Sequence, residues 1–219
     1  MIYLQGKCNT GIMSNIYAHW VCSFCVYYNF GAIYQSGLPL KLLEDLIMNV
    51  SEYIIHYLKE KGVTHYFGYQ GTMISYFVDA LYRIPGVHNH SCYNEQGAAF
   101  AACGMAQASG QCAVAYSTSG PGAANLLSGV ANAYMDSEPV LFITGQVNTY
   151  EYTNIPELRQ QSFQELNVVD MAKPVTKYCV QITCVEDVRY HLEKAWHLAT
   201  TGRPGPVLLD IPMNIQRSE

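Results

Sequence analysis

The chain has 219 residues, 50 % of them hydrophobic and 13 % charged, which suits a protein with a sizeable core and excludes a disordered or fibrous one. Lys and Arg number 12 against 17 Asp and Glu, a formal net charge of −5 with no basic run, and this argues against nucleic acid as partner. The 8 cysteines are scattered, several of them inside apolar stretches, so free thiols in a reducing cytoplasm are expected rather than a disulfide framework.

Residues 1–47 differ in character from the rest. From Ile12 to Tyr34 no residue is charged, but Asn15, His19, Ser23 and Asn29 interrupt the apolar run and no Lys/Arg cluster flanks it, so no membrane span is expected. A secretory signal would need a basic start and a small-residue cleavage site. Cys22 and Cys25 form a CxxC near His19, yet a zinc site needs four ligands and the second pair is missing, so no metal is assigned. Leu43, Glu44 and Asp45 can be encoded around GGAGGA, a ribosome-binding sequence, just before Met48. The expectation is a leader over 1–47 that is not native, a translation start at Met48, and one domain over 48–216.

From Met48 the pattern alternates helix and strand. Ile54, Ile55 and Leu58 lie at helical spacing in Ser51–Lys61, and Gly62 stops that helix. A strand over 63–69 follows, then a helix over 73–83 opened by Gly71 and Thr72, a strand over 88–93, and a helix after Glu95 rich in Gly and Ala. Next come a strand over 112–118, a helix over 123–135, a strand over 139–145, an irregular stretch, a helical segment over 168–172, a strand over 177–182, a helix over 186–200 and a last strand over 206–212. Strands separated by helices predict an α/β fold, a doubly wound, mostly parallel sheet flanked by helices, with ligands at the C-terminal ends of the strands.

Two junctions carry chemistry. Strand, Gly120-Pro121-Gly122-Ala123-Ala124-Asn125, helix is close to the dinucleotide pattern G-x-G-x-x-G, but Asn125 stands where the third glycine belongs and Gly145-Gln146 where the acid is expected. No Walker glycine-lysine loop occurs. Glu95 sits at the other junction, where a carboxylate can simply satisfy the free N–H groups of a helix. The side chains after it are so small that a second element or a flat ligand can approach, and an acid at such a mouth has a tunable protonation state.

YNEQGAAFAACGMA at 93–106, TSGPGAAN at 118–125, DSEPVLFITGQV at 136–147, SFQE at 162–165, TKY at 176–178 and GRPGPVLLDIP at 202–212 together resemble the N-terminal, pyrimidine-binding domain of thiamine-diphosphate-dependent enzymes, most of all acetolactate synthases. Six motifs in the family's order make the resemblance specific. It implies that Glu95 is catalytic, hydrogen-bonding a ring nitrogen of the cofactor's aminopyrimidine and setting the tautomer that removes the thiazolium C2 proton. It further implies that Gly71, Pro121, Gly122 and Asn125 line the cofactor, that Phe163 and Gln164 lie near the substrate, and that Lys177 stands at the site entrance. Where acetolactate synthases read G-Y-P-G-G this chain has Gly68, Tyr69, Gln70, Gly71 and Thr72.

The same resemblance implies a small 2-oxo acid as substrate. It also implies magnesium, held with the diphosphate by a second domain whose signature begins Gly-Asp-Gly, and FAD, bound in acetolactate synthases by a middle domain. No Gly-Asp-Gly occurs in the sequence, so the partner expected is a separate diphosphate-binding domain or subunit within a homo- or hetero-oligomer, without which the chain is inactive. A fragment of a longer synthase, the pyrimidine subunit of a split enzyme like the two-subunit sulfopyruvate decarboxylases, and a non-catalytic partner-binding module all fit.

Overall fold

The computed structural model describes residues 48–153, 155 and 157–219, so residues 1–47, with Cys22 and Cys25, lie outside the described residues. Asn49 starts helix α1 (Val50–Glu60): its side chain accepts from Glu52 N at 3.0 Å while Glu52 Oε2 accepts from Asn49 N at 2.9 Å, a reciprocal cap. The chain then runs β1 (His65–Gly68), a 3₁₀ turn (Thr72–Ile74), α2 (Ser75–Arg83), β2 (His88–Ser91), α3 (Glu95–Ser109), β3 (Ala113–Ser117), α4 (Pro121–Asp136) and β4 (Val140–Gln146). After an irregular segment come α5 (Val168–Ala172), β5 (Tyr178–Gln181), α6 (Val188–Thr200), β6 (Val207–Pro212) and a single turn α7 (Met213–Gln216).

All six strands are parallel, in the order β2-β1-β3-β4-β6-β5. The expected fold class is therefore observed, with the sheet wholly rather than mostly parallel. Strands β3, β4 and β6 are buried along their whole length, because helices cover both faces and leave no side of a central strand in water. One core joins Ile54, Leu58, Phe77, Leu81 and Leu192 to Val114, Ile143 and Leu209. The other, on the opposite face, joins Ala99, Ala102, Leu126, Val130 and Val168 to Ala115, Phe142 and Leu208.

Helices α3 and α4 touch at backbone distance, since a Cβ on Gly129 would lie 2.3 Å from the Ala99 Cβ. That contact is what the Gly/Ala composition of α3 serves. The predicted helix over 73–83 instead opens with the 3₁₀ turn, which crosses β4 so closely that a Cβ on Gly145 would lie 2.0 Å from Met73 O. Strand β2 is shorter than predicted: it is the sheet edge, and only Asn89 turns inward, accepting from Tyr116 OH at 2.8 Å.

Candidate functional site

The chain leaves β1 toward β2 on one side and returns over the other face to β3, so the C-terminal ends of β1 and β3 flank a crevice where the connections diverge, the place where such sheets take ligands. Gly71 follows β1 and Thr118 follows β3. They meet across the crevice: a Cβ on Gly71 would lie 2.5 Å from Thr118 Cβ, and Thr118 Oγ1 accepts from Met73 N at 3.3 Å.

Glu95 enters from β2. The helix cap is made by Asn94, whose side chain accepts from Gly97 N at 2.7 Å, so the Glu95 carboxylate is not used for capping. It is 8 % exposed and takes one hydrogen bond, from Asn125 Nδ2 to Oε2 at 3.1 Å. Its Oε1 faces Gly122, where a Cβ would lie 3.0 Å away, and 2.8 Å from Thr118 Cγ2. Pro121 is the first residue of α4, its fixed φ suited to a helix start. Gly120 before it has φ +61°, a left-handed conformation that glycine adopts freely, and a Cβ there would lie 2.4 Å from Gln164 O.

The fold thus brings together Glu95, Gly71, Gly122, Asn125 and, through Gly120, Gln164, which itself has φ +52°. Phe163 stands beside Gln164 on the surface, 71 % exposed. Lys177 does not join them. It precedes β5, at the opposite end of the sheet, and its ammonium donates to the carbonyls of Leu198, Thr201 (2.8 Å) and Arg203 (2.7 Å), satisfying acceptors that the end of α6 leaves orphaned.

Sequence reasoning missed Thr118, the Asn94 cap and a buried polar cluster on β4, β5 and β6. There Asp210, 1 % exposed, accepts from Thr144 Oγ1 at 2.6 Å, Gln146 Nε2 at 3.1 Å and Gln181 Nε2 at 2.9 Å. Burial pushes its carboxyl up to about 6, against the pull of those three donors. The available signal was period-two polarity, Thr144 and Gln146 on one side of an otherwise apolar strand.

The histidines of β1 and β2 stack, with His65 and His88 centroids 5.0 Å apart and His65 Nδ1 2.8 Å from His90 Nε2. Among the described residues no group of three or more His, Cys, Asp or Glu is placed to hold a metal ion, and no helix is long and apolar enough to cross a membrane. Cys92, Cys103, Cys112, Cys179 and Cys184 are free thiols, and of these Cys184 is exposed.

A sheet of this topology, with a shielded acid facing a glycine-bearing turn at the strand ends, defines an α/β domain with its candidate site where such sheets take ligands. Over residues 48–171 the chain matches the family described as thiamine pyrophosphate enzyme, N-terminal TPP binding domain, and it belongs to that family. It is 43 % identical over 169 residues to the acetolactate synthase isozyme 2 large subunit of Escherichia coli (strain K12), covering 77 % of this chain and 30 % of that protein. It is 44 % identical over 172 residues to a probable acetolactate synthase large subunit of Methanocaldococcus jannaschii (78 % of this chain, 28 % of that one). Against acetolactate synthase 1, chloroplastic, of Oryza sativa subsp. japonica the identity is 41 % over 167 residues (76 % and 25 %). The chain spans 25 to 30 % of the length of these relatives.

Thiamine diphosphate is the cofactor that this family binds, and the residues present fit it. A flat ring needs close approach to backbone, which the missing side chains of Gly71 and Gly122 allow. A ring nitrogen needs a partner shielded from water, and the buried Glu95 carboxylate fits that need.

Proposed function

We propose that this chain holds the aminopyrimidine half of thiamine diphosphate and acts, with a separate diphosphate-binding domain or subunit, as an acetolactate-synthase-like enzyme on a small 2-oxo acid. The observation that carries the reading is the Glu95 carboxylate, buried, relieved of capping by Asn94 and aimed at the turn of Gly122. When bound, the cofactor would supply the carbon nucleophile and electron sink that decarboxylation of a 2-oxo acid needs. Asn125 fixes one oxygen of Glu95, so the other holds the hydrogen bond and shared proton of the ring nitrogen. Burial strengthens that bond and keeps the proton from exchanging with solvent. Gly71 and Gly122 leave the ring faces open to backbone contact, Pro121 fixes the turn, and Gln164, held against Gly120, is with its exposed neighbour Phe163 the candidate for the substrate side.

The complementary domain would bring magnesium and, as in the synthases this chain resembles, FAD. We propose α3 and α4 as its docking surface, because no residue from Gln96 to Met135 is charged, and Phe100, Met105, Tyr134 and Met135 are exposed. The free thiols suit a cytoplasmic enzyme.

The test is a titration of thiamine diphosphate and magnesium into the chain, alone and mixed with the polypeptide that supplies the diphosphate-binding domain, with pyruvate consumption followed in parallel. Binding and turnover in the mixture alone are expected. A folded mixture that binds no cofactor would overturn the assignment.

A further inference from the structure

Thr144, Asp210 and Gln181 stand side by side on three adjacent strands, Thr144 and Gln181 each in register with Asp210. Their face of the sheet is apolar lower down, at Phe142, Leu208 and Cys179, and turns polar only at the C-terminal end. A carboxylate in that place does not serve packing, since apolar side chains of the same volume would fill the space at no greater cost.

What the carboxylate does is orient its neighbours. It only accepts, so both glutamine amides must present N–H to it, and the ambiguity of an amide that can face either way is removed. Each amide then spends a further contact on the segment linking β4 to α5. Gln146 Nε2 also donates to Leu166 O at 3.0 Å, and Gln181 Nε2 also donates to Tyr152 OH at 2.9 Å. Gln146 Oε1 accepts from Val147 N at 3.0 Å, which ties the start of the same segment. Leu166 and Tyr152 bracket the stretch that carries Phe163 and Gln164, within which the Gln161 side chain bonds Thr153, Ile155 and Leu158, and Gln161 N donates to Glu165 Oε2.

We propose that Asp210 is a positioning residue for this segment: through the amides of Gln146 and Gln181 it pins both ends, so that the Gln164 carbonyl is delivered against Gly120. Its consequence for substrate rests on the reading of the site given above, whereas the pinning itself does not, and the two fail separately.

The test is amide hydrogen exchange on the full chain without cofactor, comparing wild type with Asp210→Ala, Asp210→Asn and Gln181→Leu. The reporters are the amides of Thr153, Leu158 and Glu165, all bonded within the segment, against those of β3. Asp210→Ala should speed exchange of all three reporters about tenfold or more while leaving β3 unchanged, the size expected for losing a buried anchor. Asp210→Asn keeps an acceptor oxygen toward both glutamines and should stay within about threefold of wild type. Gln181→Leu removes the Tyr152 limb and one donor to Asp210 while leaving the Gln146 limb in place, and should speed Thr153 more than Glu165. A rise spread evenly over segment and β3 would overturn the proposal in favour of a plain core role, as would reporters that exchange at wild-type rates in Gln181→Leu. Should Asp210→Ala fail to fold, the other two variants decide the matter.

Discussion

A single oxygen atom separates the two uses open to Glu95, and the residue before it settles which is free. Because Asn94 caps α3, Glu95→Gln removes no structural bond that an amide cannot replace except the proton-holding oxygen. In the assembled enzyme we expect turnover to fall by about two orders of magnitude or more, with unchanged circular dichroism, since only the proton-transfer function is lost. Wild-type turnover in steady-state assays would sink the role assigned to it. Gly120→Ala should act through the backbone. The left-handed φ of +61° and a Cβ 2.4 Å from Gln164 O both oppose it, and urea denaturation should show a loss of about 1–3 kcal/mol. The family resemblance implied Glu95, Gly71, Gly122 and Asn125 as neighbours, and the fold gathers them at the ends of β1, β2 and β3. Lys177 was misplaced because spacing along the chain does not say at which end of a parallel strand a side chain finds its partners, and the carbonyls ending α6 were nearer than the site.

Two glycines on the α3/α4 pair make opposite predictions. At Gly129 an added methyl meets Ala99 at 2.3 Å and its backbone at 3.1 Å, so the helices must part. Overpacking of this kind costs about 1–3 kcal/mol and outweighs the roughly 1 kcal/mol that alanine gains over glycine in a helix. Gly129→Ala should therefore lower the denaturation midpoint. Gly104 has nothing within 4 Å of its would-be Cβ, and Gly104→Arg should leave the midpoint unchanged or raise it slightly. The same arginine places a charge in the middle of the uncharged face, and complementation by the diphosphate-binding domain should be lost in a mixing assay. Retained complementation would remove this face as the docking surface. The helical reading of α3 needed only its composition. Which of its faces packs on α4 and which stays open needed the tertiary contact, because a helix of Gly and Ala has no amphipathic stripe to read.

For the molecule as a whole, Asp210 sets a pH dependence whose sign follows from its burial. Its carboxyl is raised from 3.8 to about 6 in the fold, so the folded state binds a proton more tightly than the unfolded chain. The stability this contributes is complete below 3.8 and is lost as pH rises through about 6. Thr144, Gln146 and Gln181 oppose the shift, and Glu165 adds to it, as Asp210 and Glu165 repel. Stability of wild type relative to Asp210→Asn should thus fall by about 2 kcal/mol between pH 4 and pH 7, measured by urea denaturation across that range. A flat difference would mean that the carboxyl titrates as it does in water.

Alternation of apolar strands with helices was enough to determine a doubly wound parallel sheet, since each strand buried on both faces must be covered by helices on both sides. The six motifs determined the family, and the resemblance implied Glu95 as the acid to test. What the sequence left open was the partnership of polar residues distant in sequence. Asp210 meets Gln146 and Gln181 because β6 is inserted between β4 and β5, an ordering of strands that no local pattern encodes. Glu95 meets Asn125 because Gly129 lets α4 lie against α3, and that closeness exists only once both helices are docked on the sheet. Local spacing can name the chemical groups, whereas their hydrogen bonds depend on loop closures and helix contacts that form only in the folded chain.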